Sequence, residues 1–245
     1  MFIAEDVTSK YSRRSDMEYY NIAAYIHRIV KEREGNYMVF FPSHAFLQNV
    51  YNVYITYFED GQQTECLLQE EHMDEESREA FLARFQAAEK KIYGAEKGIR
   101  ALGMDMVIEE KSVQEKRNTL IGFCVLGGIF SEGIDLKKDS LIGAVIVGTG
   151  LPQVCNEREI LKKFFDSQGD NGFDFAYRYP GMNKVLQAAG RVIRTVEDVG
   201  IVALLDERFL TASYKRMYPR EWEEYEQVSL ERIGRRIERF WDEWL

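Results

Sequence analysis

The sequence predicts an α/β fold in which a parallel sheet carries helices on both faces. Three observations lead there. Helix-spaced stretches alternate with short apolar runs bounded by turn residues, the sequence sign of βαβ units. Several of those runs are unbroken rather than alternating, as strands covered on both sides require. The chain of 245 residues is long enough for one or two domains around a full core, without disulfides or metals.

Phe2-Ile3-Ala4 is a strand-like start reached directly from Met1, with no lead-in, as expected of a chain cut from something longer. Asp16 to Arg33 carries Ile22, Tyr25, Ile26 and Ile29 at helical spacing, and Gly35 ends it. Tyr37 to Phe41 is an apolar strand, and Pro42-Ser43 turns it into a helix running to about Tyr57. Thr64 to Leu68 is the next strand, and Asp74 to Ala88 an amphipathic helix whose acidic start suits its dipole. Gln86 to Asn118 is charged, with glycines at 94, 98 and 103, and reads as a solvated helical insertion. Strands follow at Leu120 to Leu126, Leu141 to Val147 and Ile201 to Leu205, giving five or six in all. Helices are expected at Glu157 to Asp166, Asn183 to Ile193 and Trp222 to the end. In the last, Leu230, Ile233, Ile237, Trp241 and Trp244 form one stripe that packs on the sheet or on a neighbouring domain. Residues 1–245 thus read as one domain with an excursion at 86–118 and a closing helix at 222–245.

Composition excludes several classes. With 45% hydrophobic and 30% charged residues the chain is neither disordered nor collagen-like. The 32 basic residues against 41 acidic ones give a net charge of −9, which argues against a surface that coats DNA indiscriminately. Any nucleic-acid site must be local. Cys66, Cys124 and Cys155 are widely spaced and read as reduced thiols. No apolar run approaches a membrane span and no signal peptide opens the chain, so the cytoplasm is the expected compartment and no membrane partner is expected.

Two segments carry chemistry. Gly127-Gly128-Ile129-Phe130-Ser131-Glu132-Gly133-Ile134-Asp135-Leu136 follows the strand ending at Leu126. Ligands in open α/β sheets sit beyond the carboxyl ends of strands, where glycines let backbone approach closely. Glu132 and Asp135 add acceptors; a Gly-rich turn with solvated acids fits the same residues. The second segment is Gln187-Ala188-Ala189-Gly190-Arg191-Val192-Ile193-Arg194. On a helix Gln187, Arg191 and Arg194 share one face, and two guanidiniums aimed from it toward the carboxyl edge of the sheet suit the charge of a transferring phosphoryl group. A surface helix whose arginines pair with Asp or Glu fits the spacing as well.

Gly-x-Phe-Ser-Glu-Gly-Ile-Asp followed by Gln-x-x-Gly-Arg-x-x-Arg resembles motifs V and VI of superfamily two helicases of the DinG/XPD type. Val39-Phe40-Phe41-Pro42-Ser43, with Leu47, is similar to motif IV of that branch. Tyr177-Arg178-Tyr179-Pro180-Gly181-Met182-Asn183-Lys184 and Leu204-Leu205-Asp206-Glu207-Arg208-Phe209 resemble the flanking segments, so the likeness runs from about Tyr11 to Tyr225. It implies a RecA-like fold and the second motor domain of an ATP-dependent 5′ to 3′ DNA helicase. In such enzymes ATP and Mg2+ lie between two RecA-like domains, the first supplying the P-loop and metal carboxylates. By that resemblance Arg191 and Arg194 contact the ATP phosphates as arginine fingers, Gln187 senses the nucleotide, and Gly190, Glu132, Gly133 and Asp135 share the cleft.

On the side of single-stranded DNA, Ser43 and His44 open a helix whose N-terminus favours phosphate, although a plain Ser N-cap explains Ser43 equally. Ser131 and Thr149-Gly150, at strand ends, are candidates for backbone contact. Arg13, in Tyr11-Ser12-Arg13-Arg14, serves the cleft, the DNA or only a solvated loop. No Gly-x-x-x-x-Gly-Lys-Ser/Thr loop and no Asp-Glu-Ala-His box occurs, so the first motor domain, the implied partner, is missing and the isolated chain is expected not to hydrolyse ATP. Ile201 to Glu207 mimics a Walker B strand. The four-cysteine set that holds an iron–sulfur cluster in many relatives belongs to their first domain, and no such cluster is expected here. The rival reading is a degenerate helicase-like module that binds DNA or protein through the C-terminal stripe without catalysis.

Overall fold

The computed structural model describes residues 1–59, 64–85, 119–130, 141–193 and 198–244. Seven strands form one sheet: β1 (Phe2–Ala4), β2 (Asn36–Phe41), β3 (Thr64–Leu68), β4 (Thr119–Val125), β5 (Gly143–Val147), β6 (Ile201–Leu205) and β7 (Glu226–Val228). Their order is β3-β4-β2-β5-β6-β1-β7, and every pairing is parallel. The α/β class and the parallel sheet are therefore as the sequence predicts. The register sets Val39 of central β2 between Phe123 and Val145. Because successive side chains point to opposite faces, Tyr37, Val39 and Phe41 enter one core while Met38 and Phe40 enter the other.

The first core lies under α1 (Asp16–Val30), α2 (His44–Tyr57) and α7 (Ile233–Trp244), which contribute Ile22, Phe46, Val50, Ile233, Ile237 and Trp241. The second lies under a helix over 75–85, here α3, and under α5 (Tyr179–Ala189), through Phe81, Phe85, Met182, Val185 and Ala188. Two of these helices, α1 and α2, start on a side-chain cap. Ser15 Oγ accepts the Glu18 N–H at 3.2 Å, and Ser43 Oγ accepts the Phe46 N–H at 3.3 Å, each satisfying a donor that the helix itself cannot. The remaining helices are α4 (Asn156–Ser167) and the short α6 (Ala212–Lys215). No helix among the described residues is long and apolar enough to cross a membrane.

Three expectations are corrected. The closing helix does not begin at Trp222: a turn at Arg220–Trp222 leads into β7, and α7 starts only at Ile233. β7 was missed because it is an edge strand with Glu226 and Gln227 exposed, so it lacks the apolar run of a central strand. The stripe itself packs on the sheet, one of the two expected alternatives, through Ile233, Ile237 and Trp241 in the first core, with Trp244 left exposed; what is corrected is the rival idea of it as a free binding surface. Finally, the helix expected over Asn183 to Ile193 spans Tyr179–Ala189 and is preceded by a π-helical turn at Asp174–Arg178. The insertion expected at 86–118 lies outside the described residues.

Candidate nucleic-acid interface and the arginine segment

Strands β2, β4 and β5 all end at one edge of the sheet, and a cleft of about 420 Å3 opens there. Ser43 and His44 line it from the start of α2, Gly150 from the loop after β5, and Lys184 from α5, with Glu71 and Gln153 at its rim. The structure thus brings together Ser43, His44 and Gly150, as the sequence leads one to expect. Ser43 is an N-cap by its hydrogen bond to Phe46, which settles how its side chain is used. Thr149 is only 1% exposed and does not line the cleft, its carbonyl lying against Gly181 instead. Gly150 adopts φ +66°, and a Cβ on it would stand 2.7 Å from the Gly181 carbonyl oxygen. Only glycine lets α5 approach that closely. On the neighbouring strand, Gly127 turns with φ +74° directly beneath the Lys184 side chain.

Lys184 is the residue that sequence reasoning missed. It lies in the segment Tyr177 to Lys184, where nothing in the spacing says that it crosses to the turn after β4. Gln69 was missed as well. Buried just beyond β3, its Oε1 accepts the Val125 N–H at 2.9 Å and so continues the ladder at the point where the glycine-rich loop leaves the sheet. Its signal was a polar residue directly after an apolar strand.

Arg13 sits on an exposed turn at Tyr11–Arg13 near the same edge. Its guanidinium lies 3.7 Å from Glu18. The adjacent Arg14 stacks 5.2 Å from the rings of both Tyr11 and Phe46, the latter in the first turn of α2. The segment before this turn is clamped by Asp206, which is fully buried and accepts hydrogen bonds from Ser9 N–H at 2.8 Å and from Arg208 Nε at 2.8 Å and Nη2 at 2.7 Å. Burial opposes its ionisation, but the Arg208 hydrogen bonds and charge, with the Ser9 N–H, outweigh that and hold the carboxyl below its usual range. This saturated carboxylate does not fit a magnesium ion, so the Walker-like Asp206-Glu207 pair is a structural clamp. Among the described residues no group of three or more His, Cys, Asp or Glu side chains could hold a metal.

The arginine segment lies elsewhere. The helical bonds of α5 end with Gly190 N–H to Leu186 carbonyl, and Arg191 and Val192 then bond to Ala188 and Ala189, a tighter three-residue winding. Gly190 is the C-cap, consistent with the low helix propensity of glycine. Gln187 is exposed on the last turn of α5, Gly190 is exposed, and Arg191 is half-buried in the turn beyond. Gln187 and Arg191 therefore do not share one helical face as predicted. Nor does the turn that carries Arg191 lie at the carboxyl edge. Val192 packs beside Gly200, where a Cβ would stand 2.3 Å from its Cγ1, and Gly200 immediately precedes β6. The physical reason is topological: a crossover helix between parallel strands runs back against them, so its C-terminus comes to the amino edge. Arg194, Ser131, Glu132, Gly133 and Asp135 lie outside the described residues.

The model of the helicase C-terminal domain family matches residues 26–225. The chain belongs to that family. Among curated relatives, the ATP-dependent DNA helicase XPD of Sulfolobus acidocaldarius is 27% identical over 219 residues, covering 88% of this chain and 32% of that protein. The ATP-dependent DNA helicase chl-1 of Caenorhabditis elegans is 36% identical over 97 residues, 38% of this chain and 11% of its own. A solved apo XPD structure superimposes with a TM-score of 0.63 at 24% identity, covering 93% of this chain and 39% of that one. The Saccharomyces cerevisiae Dbp5 L327V structure with RNA and ADP BeF3 gives 0.54 at 10% identity, covering all of this chain and 45% of that one. These likenesses show the RecA-like fold of a helicase C-terminal domain. The chain spans about a third of the XPD relative's length.

Proposed function

We propose that this helicase C-terminal domain is the second motor domain of an ATP-dependent DNA helicase that moves 5′ to 3′, supplying arginine fingers and part of the track for single-stranded DNA. The observation that carries the reading is α5 itself. It starts against Gly150 in the cleft and ends at Gly190 and Arg191 on the opposite edge. Eleven residues at about 1.5 Å each make a rod of about 16 Å between the two.

In this reading Ser43, His44, Ser131, Thr149 and Arg13 hold the strand at the carboxyl edge, through contacts that ignore sequence and weaken with salt. Arg191 and Arg194, with Gln187 and Gly190 beside them, close on ATP whose P-loop and magnesium carboxylates belong to a first RecA-like domain. A guanidinium placed on a turn rather than in a helix can reach across a domain boundary and let go again. Loss of the γ-phosphate removes what the fingers grip, the domains part, and the movement is carried to the strand. Glu132, Gly133 and Asp135, on the glycine-rich loop, connect the two sites.

The direct test is ATP turnover. The purified chain with single-stranded DNA and Mg-ATP is expected to hydrolyse none, and robust turnover would refute the split-site account.

A further inference from the structure

We propose that Lys184 binds one backbone phosphate of a single nucleic-acid strand and holds it against the turn at Gly127. The inference rests on the cleft being the nucleic-acid interface and names a contact within it.

Lys184 lines the cleft, yet among the described residues its ammonium has neither a hydrogen bond nor an ion pair. Other cationic side chains of the domain that are comparably covered have partners: Arg178 pairs with Asp174, and Arg208 with Asp206. The Lys184 ammonium is not among the buried unpartnered side-chain atoms, so it meets water at the end of a partly covered stem and is open to an arriving anion. The stem is already placed. A Cβ at Gly127 would stand 2.7 Å from Lys184 Cδ and Cε and 2.9 Å from Nζ, so the chain lies flat across that turn. A lysine held this way loses less freedom on binding than one waving in solvent. The position also explains the contact's use: Gly127 opens the glycine-rich loop, and Lys184 stands on the rod that leads to Arg191.

The test is fluorescence anisotropy of the 245-residue chain with a labelled single-stranded oligonucleotide across a salt series. Lys184→Met keeps the stem over Gly127 and removes the charge. It is expected to weaken binding roughly three- to tenfold and to flatten the slope of log affinity against log salt by about 0.7, the value of one single-strand phosphate contact. Lys184→Arg is expected to restore the slope, and Lys163→Met, on exposed α4, to keep it. An abasic oligonucleotide should show the same dependence on Lys184. An unchanged slope in Lys184→Met, or a dependence that vanishes with the abasic strand, overturns the inference while leaving the cleft reading in place. Failure of the parent chain to bind any strand overturns both.

Discussion

The two ends of α5 are built on opposite principles. At Gly181 the helix touches the loop after β5 backbone to backbone, through two glycines whose missing side chains make the approach possible. At Gly190 the same helix unwinds into a turn and delivers Arg191 half-buried at the far edge of the sheet. One end tolerates no added atom, and the other changes its winding from helix to turn. In the proposed motor, this division would give the domain a fixed seat at one end of α5 and a reaching end at the other.

The comparison can be broken most severely at the reaching end. In an enzyme containing both motor domains, Arg191→Ala or Arg194→Ala is expected to lower the rate of ATP hydrolysis by about 10³-fold or more, measured at saturating DNA. Near-normal turnover in either would return that arginine to a structural role. Stability tests the buried clamp after β6 first and then the seat. Asp206→Asn removes the charge from a fully buried cluster and should cost about 3 kcal/mol in urea unfolding. The sign with pH is fixed, because the folded-state carboxyl titrates below its ordinary value of 3.8. Its contribution is complete above that value and fades as pH falls through the lowered one. The parent should therefore lose more stability than the variant on acidification below about pH 4, and parallel curves would mean that Asp206 is not the group involved. Gly150→Ala forces a left-handed residue against the Gly181 carbonyl and should cost about 2 kcal/mol. A smaller effect is expected at Gly190→Ala, which should stabilise the domain by under about 1 kcal/mol while extending the helix. Circular dichroism would register the added winding, and a loss of stability instead would show that the turn is required by packing.

How much of this was legible follows from what each residue faces. Tyr37 to Phe41 and Ile201 to Leu205 declared themselves because both of their faces are buried, and such strands admit little but apolar residues. β7 did not, because its outer side meets solvent. The end of α5 was misread for a subtler reason: Val192 is buried beside Gly200, so the apolar rhythm of a helix continues for a turn after the helix has stopped. In the cleft, Ser43 and His44 could be read from a strand, a proline and a capping residue in succession. Lys184 could not, since its partner surface is a glycine 57 positions earlier in the chain, brought near only by the sheet.

The place of β1 within the sheet has a consequence for how the chain comes to be ordered. Phe2 lies opposite Ala203 on one side and Glu226 on the other, so β1 has no neighbours in the sheet until some two hundred further residues of this chain have been made. That seam must close late, as pairings of such long sequence separation do. Until it closes, three apolar residues and one flank of β6 stand open to association with other chains. Substitutions in β7, distant from cleft and arginines alike, would then register first as poor recovery of native protein rather than as altered chemistry.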